Sequence, residues 1–389
     1  MKKVLVIVSR VPYPLEKGDK LRAFYHIKEL STKFDVALIA LDDPSTRSSD
    51  KAREVLSKYC SSVDIIKLSR ISIYANIVKA FFTGLPLQIG YFYSSRALKL
   101  VEERIRSFEP DHIYCQLVRT AEYVKNVKGI HLTLDYMDAL SKGIERRIPK
   151  ATFFLKAILD LELKRLRAYE TEVFDRFNAR TIISEQDRGH LQHSKSNEVI
   201  VVPNGVDTSH FSPRTIEKKY DIIFSGNMSY PPNIETAIYL ATEVLPLVQT
   251  QRPETNLVIA GVSPVPQVKS LASKDIVVTG WVEDLSEYYA ASRVFAAPMQ
   301  TSVGMQNKIL EAMAMKIPVV CSAMANNAIG AENGTNILTG DNTAEYANHI
   351  LKILENGEFA DKISQSGGEF ISSRYSWTSS SDELMRIFA

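Results

Sequence analysis

The chain has 389 residues, 45% apolar and 24% charged, the composition of a soluble globular protein long enough for two domains. No apolar run approaches the roughly 18 residues of a spanning helix, and Cys60, Cys115 and Cys321 are too scattered for a disulfide framework or a metal site, as in a reducing cytoplasm. The net charge of +2 is unevenly divided: residues 1–207 carry 34 Lys+Arg against 26 Asp+Glu, giving +8, and residues 208–389 carry 13 against 19, giving −6.

The opening MKKVLVIVS imitates a signal peptide, but its apolar run is only Val4 to Val8, so it reads as a first buried strand. A loop with Pro12, Pro14 and Gly18 leads into a helix from Leu21 to about Lys33, and Val36 to Leu41 and Val63 to Leu68 read as further strands. Alternating short apolar runs and helical stretches imply a parallel sheet covered on both faces. Residues 71–106 break this rhythm, mixing aromatic and aliphatic residues with Lys79, Arg96, Lys99, Arg104 and Arg106. Lys142 to Arg167 is similar, with eight basic residues against three acidic ones and an apolar patch at Phe153, Phe154, Leu155 and Ile158. Either stretch fits core helices with a solvated face or a surface that meets anionic lipid. Between them, Leu132 to Asp135 ends a strand where ligand-binding groups of such sheets collect, with Asp138 just beyond.

Pro203-Asn204-Gly205-Val206-Asp207 is a turn by composition, and residues 208–219 read as a linker. The pattern then restarts with a strand from Asp221 to Ser225, a loop from Gly226 to Pro232 and a helix capped at Asn233 running to Val248. Leu257 to Gly261, Ile276 to Thr279 and Val294 to Ala297 read as strands of a second doubly wound domain, and 345–357, 358–366 and 380–388 as helices. Its most informative stretch is GMQNKILEAMAMKIPVV, Gly304 to Val320. Gln306 to Met315 lacks Gly and Pro and places Ile309, Leu310 and Met313 on one face, so it reads as a packed helix. Gly304 lets the backbone approach a ligand, and the first helical N–H groups suit a phosphate. Asn307, Lys308 and Glu311 fall on a shared exposed side, where a lysine and a diol-binding carboxylate suggest a nucleotide. The competing reading is an amphipathic helix with a solvated polar face.

In sequence order, VIVVPNGVD (199–207), FSGNMSYPPN (224–233), TGWVEDLSEYYAASRVFAAPM (279–299) and NKILEAMAMKIPVV resemble the inter-domain turn, first donor loop, base-binding loop and donor-binding helix of the retaining glycosyltransferases of sequence family 4. The run from Gly304 to Met315 most resembles the sugar transferases associated with the exosortase (PEP-CTERM) system. The resemblance implies an α/β fold of GT-B type, two doubly wound Rossmann-like domains facing across a cleft. Residues 1–207 would form the acceptor-side domain, 208–219 the linker and 220–372 the nucleotide-sugar domain, with a helical segment at 373–389 returning to the first domain.

By the same resemblance Glu311 would hold the ribose hydroxyls, the N–H groups of Gly304, Met305 and Gln306 the diphosphate beside Asn307, and Gly280, Trp281 and Val282 the base. Gly226 and Asn227 would belong to the donor loop, and Gly18 would close over the phosphates. The family's sugar-contacting glutamate is replaced by Val303, and its Arg and Lys phosphate clamp is absent from 226–233, so Lys308 would supply that charge. Asp138 stands where the family often has a histidine, which with Lys308 makes it a catalytic candidate; Arg22 and Arg119 are acceptor-side candidates. Each has a plainer reading: Trp281 as core packing, Asp138 as a helix cap, Gly18 as a glycine that a turn needs, and both arginines as surface charges.

The expected reaction is metal-independent, retaining transfer of a hexose-type sugar to a glycan or lipid-linked acceptor in surface polysaccharide synthesis. The expected partners are a nucleotide sugar, a glycan or lipid-linked acceptor and an anionic membrane surface; no cofactor or nucleic acid is expected, and the place is the cytoplasm, peripheral on the inner face of the plasma membrane. The alternatives are a nucleotide-sugar epimerase on the same fold and a non-catalytic glycosyltransferase-like subunit.

Overall fold

Runs such as KVLVIV at Lys3–Val8, buried along almost their whole length, set the architecture, because a strand apolar on both faces must be covered by helices on both sides. The computed structural model describes residues 1–15, 17–44, 50–301 and 304–389 and divides into two units, Met1–Pro203 with Ser380–Ala389, and Asn204–Ser379.

In the first unit the strands are β1 (Lys3–Val8), β2 (Asp35–Asp42), β3 (Ser62–Lys67), β4 (His112–Gln116), β5 (His131–Asp135), β6 (Ala179–Ile182) and β7 (Ile200–Val201). They form a parallel sheet in the order β3-β2-β1-β4-β5-β6-β7. The helices around it are α1 (Gly18–Leu30), α2 (Asp50–Leu56), α3 (Arg70–Thr83), α4 (Leu87–Phe92), α5 (Ser95–Phe108), α6 (Leu140–Glu145), α7 (Phe153–Phe174) and α8 (Glu185–Arg188). The stretch 71–106 is thus three helices, and α7 fastens two short neighbours. Glu162 accepts from the N–H groups of Leu87 and Gln88 at the start of α4, and Glu170 accepts from Ser141 N at the start of α6.

In the second unit β8 (Tyr220–Ser225), β9 (Leu257–Ala260), β10 (Ile276–Gly280), β11 (Ser292–Ala297), β12 (Val319–Ser322) and β13 (Leu338–Gly340) form a second parallel sheet, ordered β10-β9-β8-β11-β12-β13. Its helices are α9 (Pro231–Tyr239), α10 (Leu245–Gln249), α11 (Pro266–Lys269), α12 (Leu285–Ala290), α13 (Asn307–Ala314), α14 (Ala323–Asn327), α15 (Thr343–Glu355) and α16 (Gly357–Arg374). α17 (Trp377–Phe388) ends the chain; its residues from Ser380 group with the first unit, where Phe388 packs against Phe34, His112 and Tyr114.

The helix expected from Asn233 to Val248 differs in detail. Tyr230 is its N-cap, and a π turn at Leu240–Val244 separates α9 from α10. Pro246 accounts for the widening, since it has no N–H for the preceding turn and its ring crowds the carbonyl four residues back.

Candidate functional site

The second sheet reverses its order between β8 and β11, where open parallel sheets leave a crevice for ligands at their carboxyl edge. Gly226 and Asn227 follow β8, and Gly304 to Asn307 lead from β11 towards α13. Gly226 meets a second glycine there: a Cβ on Gly261 would lie 1.9 Å from the Gly226 carbonyl oxygen, so the loop takes this path only with glycine at 261. A Cβ on Gly226 would lie 2.7 Å from Asn233 Nδ2 and 3.2 Å from Lys308 Nζ. Asn233 is therefore a loop fastener and not the expected cap: its Nδ2 donates to Asn227 O at 2.9 Å and its Oδ1 accepts from Lys308 Nζ.

Lys308, Asn307 and Glu311 are not on an exposed side. All three are half-buried, because the polar face of α13 turns onto the end of the sheet. Lys308 Nζ lies 4.9 Å from the centre of the Phe224 ring. Burial brings its amine down to about 7, against the opposing pull of Glu311, and pushes the Glu311 carboxyl up to about 7 against Tyr289 and Lys308. Sequence reasoning missed the group that aims this carboxylate: Tyr289 OH, fully buried on α12, donates to Glu311 Oε2 at 3.0 Å and lies 2.6 Å from Ser225 Oγ. The spacing of Tyr289 in SEYYAAS was visible, but its pairing with Glu311 is a tertiary contact. Asn307 Oδ1 accepts from Asn204 Nδ2 at 3.2 Å, which ties the helix start to the PNG turn.

Gly304 turns with φ of 69°, Gln306 Nε2 donates back to Gly304 O at 3.2 Å, and Met305 packs its side chain against the core. Val303 lies outside the described residues. At the end of β10, Gly280 has φ of 70° and the next residue, Trp281, is 67% exposed, so Trp281 is not core packing; it presents its indole to solvent beside half-buried Val282.

In the first unit Arg22 corrects both of its readings, as an acceptor-side residue and as a surface charge. It is fully buried on α1, donating Nε to Asp135 Oδ2 at 2.7 Å, Nη2 to Asp135 Oδ1 at 2.9 Å and Nη1 to Val202 O at 2.8 Å. Tyr114 and Thr181 hydroxyls also donate to Asp135, at 3.0 and 2.9 Å. Burial alone would raise this carboxyl, but the Arg22 charge and these hydrogen bonds hold it below the usual range. The group binds α1 to β4, β5 and β6 and faces no open site.

Arg119 and Asp138 do lie near each other at the carboxyl edge, where the order turns between β1 and β4. Arg119 is half-buried, donates Nη2 to Gln88 Oε1 at 2.7 Å and stacks on Phe92 at 4.7 Å, so it too is no surface charge. Arg10 lies 5.7 Å from the centre of the same ring and pairs with Asp19. Burial, then Arg10, lowers the Arg119 guanidinium to about 10. Asp138 is not a cap, since Ala139 holds the N-cap position of α6 and Glu170 accepts from the N–H of Ser141. Its Oδ1 is buried without a hydrogen-bond partner, and burial, then Asp187, raises the carboxyl to about 6. Gly18 opens α1 and is exposed; its φ is ordinary and a Cβ would meet only Met137 Cε at 3.5 Å, so no turn requires glycine there.

Residues 219–356 match the family model described as Glycosyl transferases group 1. Among solved structures, Anabaena HepE in complex with UDP matches with a TM-score of 0.69 at 15% identity, covering 99% of both chains. Sucrose-phosphate synthase from Thermosynechococcus elongatus also gives 0.69, at 14% identity over 100% of this chain and 98% of its own. The fold is that of the GT-B glycosyltransferases. Along the sequence, an uncharacterized 44.6 kDa protein in the cps region of Klebsiella pneumoniae is 22% identical over 96% of this chain and 97% of its own. A phosphatidyl-myo-inositol mannosyltransferase of Mycobacterium tuberculosis is 21% identical over 61% of this chain and 66% of its own. Gly226, Lys308 and Glu311, at the switch point of the second sheet, lie inside the stretch that the family model covers.

Proposed function

We propose that the protein is a retaining glycosyltransferase of the family 4 type, exosortase-associated branch, moving a hexose-type sugar from a nucleotide diphosphate to a glycan or lipid-linked acceptor in surface polysaccharide synthesis. One observation carries the reading: within a glycosyl transferases group 1 match, a half-buried lysine and a tyrosine-held glutamate stand beside a glycine loop at the switch point of the sheet. HepE, of the same fold, has been solved with UDP and with UDP-glucose, and the Klebsiella relative belongs to a cps region.

In this reading Glu311 accepts the ribose hydroxyls, and the exposed indole of Trp281, with Gly280 and Val282, faces the base. The N–H groups of Gly304 to Gln306 and the ammonium of Lys308 receive the diphosphate beside Asn307, with Gly226 and Asn227 framing it. As the bond from sugar C1 to the diphosphate oxygen breaks, charge grows on that oxygen, so Lys308 stabilises the transition state more than the ground state. The acceptor oxygen bonds C1 from the same face, and its proton passes to the departing phosphate. No metal enters this scheme. Asp138, with its unpartnered Oδ1, and Arg119 receive acceptor hydroxyls.

Incubation with a panel of nucleotide sugars, with and without lipid-linked and soluble glycan acceptors, tests the proposal. Acceptor-dependent release of nucleoside diphosphate is expected, with the anomeric configuration kept in the product. Interconversion of the sugar without nucleotide release would make the protein an epimerase, and binding without turnover would make it a non-catalytic subunit.

A further inference from the structure

α3 and the start of α7 carry an unusual concentration of exposed apolar side chains. On α3, Ile71, Tyr74, Val78, Phe81 and Phe82 are all exposed, Phe82 at 80%, while the helix buries only Ile73 and Ala80 beneath it. Steps of three and four residues put the exposed set along one stripe. At the start of α7, Phe153, Phe154, Leu155 and Ile158 are exposed, the first two above 80%, and every residue from 153 to 158 is open to solvent. That first turn and a half is therefore exposed on every side.

The two features belong to one region. Arg165 of α7 donates to the carbonyls of Ala80 and Phe81 and lies over the Phe81 ring at 5.5 Å. Phe154 sits about three turns, or about 16 Å, before Arg165 on the same helix. Exposed cations surround the apolar groups: Arg70 and Lys79 on α3, Arg147 before α7, and Lys156 and Lys164 on it. α3 has no acidic residue. Of the acidic residues between 142 and 167, Glu145 is paired with Lys142 and Arg167, Glu162 is buried at the start of α4, and only Asp160 is exposed. Among the described residues no helix is long and apolar enough to cross a membrane.

We propose that α3 and the α7 tip dock the protein on an anionic lipid bilayer, inserting Phe82, Phe153 and Phe154 below the headgroups while Arg70, Lys79, Arg147 and Lys156 meet lipid phosphates. An exposed apolar patch marks an interaction site, and the chemistry here selects the partner. The exposed aromatic side chains stand among cations with one exposed carboxylate, Asp160, between 142 and 167, and a fluid, negatively charged interface accommodates such a set from any direction. This names the surface on which the proposed transfer would meet its acceptor, and rests on that reading only for its purpose.

The test is flotation of the full chain with vesicles of phosphatidylcholine containing about one-third phosphatidylglycerol, beside pure phosphatidylcholine. Wild type is expected to float with the anionic vesicles at low salt and to detach as salt rises. The Phe82→Asp, Phe154→Asp double variant, at two solvent-facing positions, is expected to bind at least about tenfold more weakly, since it replaces inserted rings with repelled charges, while still binding uridine diphosphate. No flotation of wild type at low salt, or equal flotation of the variant, overturns the proposal. So does self-association lost in the variant without vesicle binding, which would mean a second copy covers the face. Flotation without any nucleotide binding would leave the docking standing and remove the transferase reading.

Discussion

Lys308 makes the donor reading testable through protons. Its amine is held at about 7 by burial, so at pH 8 roughly nine-tenths of the molecules carry it neutral. A diphosphate arriving beside it adds to the countercharge of Glu311 and restores the ammonium, so binding at pH 8 should take up most of a proton. Linkage then makes affinity fall roughly ninefold between pH 8 and 9. Other groups contribute little there: Glu311, at about 7, is already mostly ionised, and a nucleotide's terminal phosphate, with a second pKa of about 6, is fully so. Calorimetry with uridine and guanosine diphosphates, in buffers of different ionisation enthalpy, reads the proton count directly. Lys308→Met should abolish the uptake and weaken binding. An uptake below about 0.3 proton in wild type, or one unchanged in Lys308→Met, would refute the placement of this amine against the phosphates.

Glu311→Ala should weaken diphosphate binding by about 1.5–3 kcal/mol without unfolding the protein, as a hydrogen bond to a charged group is lost; unchanged affinity by calorimetry would remove Glu311 from the site. Lys308→Ala should lower kcat more than it raises KM for the intact donor, and steady-state kinetics showing only a raised KM would assign the lysine to holding the donor. Gly261→Ala should abolish nucleotide binding by displacing the Gly226 loop, whose carbonyl oxygen the added Cβ would meet at 1.9 Å; intact binding would mean the loop has slack. Asp135→Ala should cost ~3–5 kcal/mol at pH 7 because it leaves Arg22 buried and uncompensated. The folded carboxyl lies below its unfolded value, so its stabilisation is full above pH ~4 and fades as pH falls further; denaturant melts at pH 7 and pH 3 should show the variant's penalty shrinking in acid.

What the sequence by itself determined is what depends on local pattern. Alternating buried strands and helices announced two doubly wound units, and the Gly304 to Val320 run announced α13 and β12, because periodicity and glycine placement are properties of short segments. What only the tertiary structure decided is where each polar side chain ends. Arg22 and Arg119 look alike in sequence, yet one is locked against Asp135 and the other lies against Phe92 near Asp138, since a long flexible side chain is placed by partners far along the chain. Trp281, as apolar as any core residue, faces solvent because the turn at Gly280 directs it outward. Lys308, Tyr289 and Ser225 converge only when β8, α12 and α13 meet at one sheet edge. The burial that sets the titration of Lys308 and Glu311 exists only in that packed arrangement.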